Sequence, residues 1–244
     1  MFTENYKIAE NSVKISSIYE QVHHLCQDYR TDEPEDYAVC ITEADIQYEQ
    51  EKSRKTDIAE GRRPYDCTPE YLEELAVYRK IADKMPDYDT FLFHGSVIAV
   101  DGQAYLFTAK SGTGKSTHTR LWREMLGEKA VMVNDDKPLI RIGKDAVTVF
   151  GTPYNGKHRL GCNISVPLKA VCILERGEEN RIRNITKSEA YTMLLQQVYH
   201  PADAVQMKKT LLLIDALAAR VSLYRMQCNM NPSAAETAYH TMKG

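Results

Sequence analysis

Residues 91–116 read FLFHGSVIAVDGQAYLFTAKSGTGKS. Two β-rich runs, Phe91–Val100 and Gln103–Ala109, flank the dipeptide Asp101-Gly102. Asp-Gly between apolar runs is a strong two-residue hairpin signal, because both central residues of a type I′ turn need positive φ. The strand ending at Ala109 is therefore expected to have an antiparallel neighbour just before it. A simple βαβ unit differs, since its neighbouring strands are parallel and joined by helices. Directly after this strand, Ala109-Lys110-Ser111-Gly112-Thr113-Gly114-Lys115-Ser116 matches the phosphate-loop (P-loop) pattern G-x-x-x-x-G-K-[ST], except that Ala stands at the first position. Gly112 and Gly114 let the backbone turn tightly enough for successive N–H groups to face phosphate oxygens. Lys115 would bring its charge to the β- and γ-phosphates, and Ser116 its hydroxyl to Mg²⁺. The helix opening there directs its dipole at the anion. Ser111, Gly112, Thr113, Gly114, Lys115, Ser116 and Thr117 are thus the expected nucleotide-binding residues.

Downstream, residues 115–126 read as a helix and Ala130–Val133 as a short strand. Leu139–Ile142 and Val147–Phe150 form a second expected hairpin across Gly143-Lys144-Asp145, and Ala170–Leu174 is a buried strand. Thr186-Lys187-Ser188-Glu189 has capping-box spacing and opens a helix that Pro201 closes. Leu211–Ala219 is apolar nearly all round, which predicts a mostly buried helix. Val221–Met226 reads as a last strand, followed by a terminal helix from Asn231-Pro232.

Upstream, Tyr6–Ile8 and Val13–Ser16 are expected to pair across Glu10-Asn11-Ser12. Ile18–Tyr29 reads as helix and Tyr37–Thr42 as a buried strand. Residues 47–66 are almost wholly polar, a solvated helix or a loop. Thr68 and Pro69 start a helix whose Tyr71, Leu75, Tyr78 and Ala82 share one face, which is expected to pack on a sheet. The pattern predicts a small α+β module over residues 1–87 and a mixed α/β nucleotide-binding domain, with a partly antiparallel sheet, over 88–244.

Composition sets limits. The chain has 244 residues, 43% hydrophobic and 27% charged, with a formal net charge of −3, so a sequence-independent grip on nucleic acid is not expected. No apolar run approaches the ~20 residues of a membrane span. The N-terminal residues lack a secretory pattern, and the six cysteines contain no C-x-x-C pair. A cytoplasmic protein is the expectation, and a homo-oligomer is compatible with it.

Asn134-Asp135-Asp136 follow the strand Ala130–Val133. Carboxylates at a strand end beside a phosphate loop are placed to hold Mg²⁺ or orient a nucleophile. Two adjacent carboxylates repel, and a metal on one would relieve the conflict and leave the other as base. His94 lies on the same expected sheet. In the loop Gly151–Cys162 (GTPYNGKHRLGC), Lys157 is a candidate for contact with the transferred group or the substrate, or else a surface lysine.

Together, His94-Gly95, the hairpin, Ser111–Ser116, the following helix and strand, and Asp135-Asp136 resemble the catalytic domain of HPr kinase/phosphorylase, which shares its nucleotide-binding fold with phosphoenolpyruvate carboxykinase. The resemblance implies ATP and Mg²⁺ as cofactors. It implies that Lys115 acts on the phosphates, that Asp135 is the base and that His94 contacts and tunes it. Asp136 and Ser116 would address the metal. Thr117 departs from the family, which usually carries Glu there, and the family's downstream glycine-rich signature is replaced by Phe150–Lys157. That segment is closer to the shorter HPr-kinase-related proteins. The expected acceptor is a hydroxyl of a protein, peptide or small molecule. An ATP-binding regulatory module without phosphotransfer and a small-molecule kinase are the alternatives.

Overall fold

Asp101 and Gly102 both adopt left-handed backbone, with φ of 51° and 73°. The hairpin expected at this dipeptide is therefore present in the computed structural model, which describes residues 1–156 and 158–244. The chain divides into two units, Met1–Lys84 and Met85–Gly244.

In the first unit, β1 (Phe2–Ile8) and β2 (Asn11–Ser17) form an antiparallel hairpin. The turn falls at Ala9-Glu10, both at positive φ, slightly before the polar triplet expected to supply it. The helix expected over Ile18–Tyr29 is reduced to α1 (Gln21–Leu25) and a 3-10 turn at Gln27–Tyr29. Strand β3 (Tyr37–Cys40) runs parallel to β2. The polar stretch is mostly helix, α2 (Glu43–Ala59), opened by a Thr42–Asp45 capping box. Helix α3 (Pro69–Lys84) starts where Thr68-Pro69 predicts. Tyr78 and Ala82 of the expected face are buried, together with Leu72, Ala76, Val77 and Ile81, while Tyr71 is half exposed. The buried face is thus wider than the expected one, and it leaves out Tyr71. Glu73 also turns inward, where its carboxylate accepts the backbone N–H groups of Ile18 (2.6 Å) and Tyr19 (3.0 Å).

The second unit is built on a curled mixed sheet. Its strands are β4 (Thr90–Leu92), β5 (Ser96–Val100), β6 (Gln103–Thr108), β7 (Ala130–Asn134), β8 (Leu139–Ile142), β9 (Val147–Phe150), β10 (Ser165–Arg176), β11 (Arg181–Asn184) and β12 (Ser222–Cys228). The order is β4-β8-β9-β10-β6-β5-β7, with β12 also on β10 and β11 on β12. Strand β10 makes the curl possible. Its start pairs with β9, and after an irregularity between Leu168 and Ala170 the rest pairs with β6 and β12.

The expected single run Phe91–Val100 is broken at Phe93–Gly95. There the backbone N–H groups of Phe93, His94 and Gly95 donate to carbonyls of Pro138, Gln197 and Asp136 instead of a sheet ladder. The chain thereby passes from β4, beside β8, to β5, beside β6 and β7.

Alternation on β5 and β6 sends Val97, Ala99, Ala104 and Leu106 to one face, where helices α5 (Lys187–Gln197) and α6 (Ala204–Arg220) cover them. Ile98, Val100, Tyr105 and Phe107 face the opposite layer, formed with α4 (Lys115–Leu126) and α7 (Ser233–Lys243). The capping box at Thr186–Glu189 closes in both directions. Helix α6 is less buried than its sequence suggests. Leu213, Ile214 and Leu217 pack inward while Leu212 is 63% exposed, because one sheet face accepts only one stripe of a helix. No helix among the described residues is long and apolar enough to cross a membrane.

Candidate functional site at the strand ends

Strands β6 and β12 both run parallel to β10, so their C-terminal ends share one edge. Strand β5 is antiparallel to both β6 and β7, which brings the end of β7 and the start of β5 to that same edge. Carboxyl ends of strands are where open α/β sheets bind ligands. Here the edge gathers the loop after β6, Ser96 at the start of β5, and Asn134-Asp135-Asp136 at the end of β7.

The loop 109–116 turns on left-handed Gly112 (φ 75°) and Gly114 (φ 117°), the latter being the N-cap of α4. No side chain among the described residues caps α4, and its first turn holds no acidic residue. Its N-terminal N–H groups therefore lack the usual side-chain acceptor, a configuration suited to an anion. Ala109 is fully buried and its carbonyl accepts a long bond from Lys115 Nζ, 3.5 Å. Burial holds the Lys115 ammonium below its ordinary pKa, and the charges of Asp136 and Asp135 oppose that shift.

The two aspartates stand in different surroundings. Asp135 is 8% exposed and accepts from Ser96 Oγ at 2.6 Å; Ser96 Oγ also lies 3.0 Å from Thr119 Oγ1. Asp136 lies nearer solvent, with its side chain 35% exposed, and its Oδ1 faces His94 Nε2 at 3.4 Å. The resemblance pairs His94 with Asp135, whereas in the structure the imidazole faces Asp136. The backbone explains the change, because the chain leaving β7 is held at Gly95 N–Asp136 O, beside His94. Across the ring, His94 Nδ1 lies 2.9 Å from Gln197 Oε1. Burial, then the charge of Lys115, lowers the His94 pKa against the opposing pull of Asp136, so the neutral imidazole prevails near neutral pH. With Nδ1–H donated to Gln197, Nε2 presents a lone pair to Asp136.

Asn134 organises this turn. Its Oδ1 accepts the N–H groups of Asp136 (2.9 Å) and Lys137 (2.8 Å), and its Nδ2 donates to Thr152 Oγ1 (2.9 Å). The loop Gly151–Cys162 is thereby tied to the acidic turn. Gly151–Tyr154 are buried while His158–Leu160 are exposed, so the expected open surface loop is limited to its second half. Gly156 adjoins Asp135, where an added Cβ would sit 3.4 Å from Oδ2. Lys157 lies outside the described residues.

Several residues at this edge escape sequence reading. Ser96 and Thr119 carry a faint signal as polar residues on buried faces. Gln197 carries none, being 103 residues from His94. No group of three or more His, Cys, Asp or Glu among the described residues is arranged to hold a metal ion. The donors here are Asp135, Asp136 and the Ser116 hydroxyl, all oxygen. That set fits Mg²⁺, which is commonly bound by one or two carboxylates together with substrate phosphates.

The family model of the SynChlorMet cassette protein ScmC matches residues 67–234. The chain belongs to the ScmC family. The match takes in α3 and the second unit as far as the start of α7, and so includes every strand of the edge described above. Among solved structures, the Hpr(Ser) kinase/phosphatase from Coxiella burnetii matches at 9% identity and a TM-score of 0.34, over 63% of this chain and 99% of that one. No curated protein matches in sequence.

On α4 of this ScmC-family chain, Trp122 Nε1 donates to His118 Nε2 at 3.2 Å. An indole N–H only donates, so Nε2 accepts and the ring proton sits on Nδ1. Burial pushes the His118 pKa down to about 4. Below its ordinary value of 6.5, the unfolded chain therefore takes a proton that the folded one refuses. Stability is lost as pH falls from 6.5 towards 4, by up to roughly 3 kcal/mol. Chemical denaturation across this range should show a flatter pH dependence for His118→Phe than for the unsubstituted protein. Parallel curves would mean that His118 titrates normally in the fold.

Proposed function

We propose that this ScmC-family chain is a Mg²⁺-dependent phosphotransferase that moves the γ-phosphoryl group of ATP to a hydroxyl of a protein, peptide or small molecule. This follows the HPr-kinase-like proteins that its motifs resemble. The supporting observation is the meeting at one sheet edge of a glycine-turned loop, an uncapped helix start, Lys115, two carboxylates and an imidazole. Lys115 and the first N–H groups of α4 stabilise charge on the phosphates. Ser116 and Asp135 would hold Mg²⁺, which would supply further neutralisation of the phosphate charge. The acceptor oxygen forms a bond to the γ-phosphorus as the β–γ bridging oxygen leaves with ADP.

The role of base passes from Asp135, expected from the family order, to Asp136. The Asp136 carboxylate is the more open of the two and has His94 Nε2 opposite Oδ1. A proton arriving on Asp136 from the acceptor hydroxyl gains a hydrogen-bond partner in that lone pair. Gln197 holds the ring in the tautomer that offers it.

Incubating the purified protein with γ-labelled ATP, Mg²⁺ and an extract of its own source should label an acceptor. ATP binding with no transfer to any acceptor would favour the regulatory module instead.

A further inference from the structure

The loop 109–116 has two flanks. The carboxylates and His94 lie on the β5–β7 flank. On the other, the ends of β10 and β12 and the first turns of α4 enclose a cavity of about 470 Å³, within the range of roughly 300–1,000 Å³ typical of small-molecule sites. Thr117, His118 and Leu121 line it from α4, Leu174 and Arg176 from β10, and Cys228 from β12. Three features mark it as built for a flat, partly polar ring. Leu121 and Leu174 supply apolar wall. Arg176 is held against the loop by a bond from Nη2 to the Gly112 carbonyl, 2.6 Å, and a planar guanidinium stacks on aromatic faces. His118 is 2% exposed, and its Nδ1 has no hydrogen-bond partner among the described residues. Because Trp122 occupies Nε2, this orphan is an N–H donor, and a buried donor without an acceptor is costly unless a ligand supplies one.

We propose that this cavity is the nucleobase subsite and takes the purine ring of the nucleoside triphosphate. This inference rests on the phosphotransferase reading above. The triphosphate then crosses the loop in one direction, from the purine between β10, β12 and α4 to the γ-phosphate beside Lys115, Asp135 and Asp136. Ring nitrogens of a purine are acceptors that match the His118 donor.

Calorimetry with Mg·ATP and with Mg·tripolyphosphate separates the two flanks, since only ATP carries a base. The unsubstituted protein should bind ATP at least about tenfold more tightly. Cys228→Phe places a ring in the cavity and should bring ATP down to the tripolyphosphate affinity while leaving the latter within twofold. Equal affinity for the two ligands in the unsubstituted protein, or undiminished ATP binding by Cys228→Phe, would overturn the subsite and leave the phosphate loop standing. If neither ligand binds the unsubstituted protein, the phosphotransferase reading falls and the subsite with it. Should Cys228→Phe not fold, photolabelling of the unsubstituted protein with 8-azidoadenosine triphosphate decides. Label on peptides containing Thr117–Leu121 or Cys228–Met230 supports the subsite, and label confined elsewhere overturns it.

Discussion

Lys115→Ala should weaken Mg·ATP binding by roughly 10- to 150-fold, the equivalent of about 1.5–3 kcal/mol for a lost hydrogen bond to a charged group. The ammonium is partly buried at the start of α4, with its pKa lowered by that burial and its charge set towards Asp135 and Asp136. Among the described residues its hydrogen bond is a long one, to the Ala109 carbonyl. Its strongest partner is therefore expected to be phosphate. The same substitution should leave the thermal midpoint unchanged or raised, because it removes a desolvated charge without breaking a short bond. Titration calorimetry and a melt on the same two samples check both parts. An ATP affinity within twofold of the unsubstituted protein would dissociate the loop from phosphate binding, and a collapsed melt would make the affinity loss a folding effect.

Asp136→Asn should reduce phosphoryl transfer by ~10²–10⁴, the usual contribution of a positioned general base, while ATP binding stays within a few-fold. Asn keeps the shape but cannot take up the acceptor proton. Asp135→Asn should behave differently. Its carboxylate is buried against Ser96 and near Lys115, so the expected effect is a higher Mg²⁺ requirement, partly recovered at saturating metal. The comparison is made by measuring transfer rate against Mg²⁺ concentration for both variants. If Asp135→Asn shows the metal-independent loss and Asp136→Asn the shifted Mg²⁺ curve, the family order is right and the His94–Asp136 contact is not catalytic. His94→Gln should share the Asp136→Asn loss in part, and equal rates for His94→Gln and the unsubstituted protein would remove the ring from the mechanism.

Local chemistry made much of the second unit legible. Asp101-Gly102 announces its hairpin because positive φ at two successive residues is rare outside this turn. The capping box at Thr186–Glu189 and the Thr68-Pro69 helix start are equally local, each settled within one turn of backbone. Where reading failed, the deciding contact came from afar. The run Phe91–Val100 looks like one strand, yet Pro138, Gln197 and Asp136 take the N–H groups of Phe93, His94 and Gly95 and split it. Helix α3 turns Glu73 inward, where its carboxylate accepts the N–H groups of Ile18 and Tyr19, 55 and 54 residues away.

The same division runs through the candidate site. The sequence alone determined the glycine-turned loop, the lysine and hydroxyl that open α4, and the presence of two carboxylates after a strand. Each depends on residue type and spacing over fewer than ten positions. Only the tertiary structure decided which aspartate faces His94, that Ser96 and Thr119 stand behind the other, that Gln197 orients the imidazole, and that a cavity opens beside Arg176 and Cys228. Those relations depend on strand order and register, with β5 between β6 and β7 and with β10 between β6 and β12. Strand order is set by which apolar faces can be buried together over the whole sheet, a collective condition that no short stretch of sequence carries.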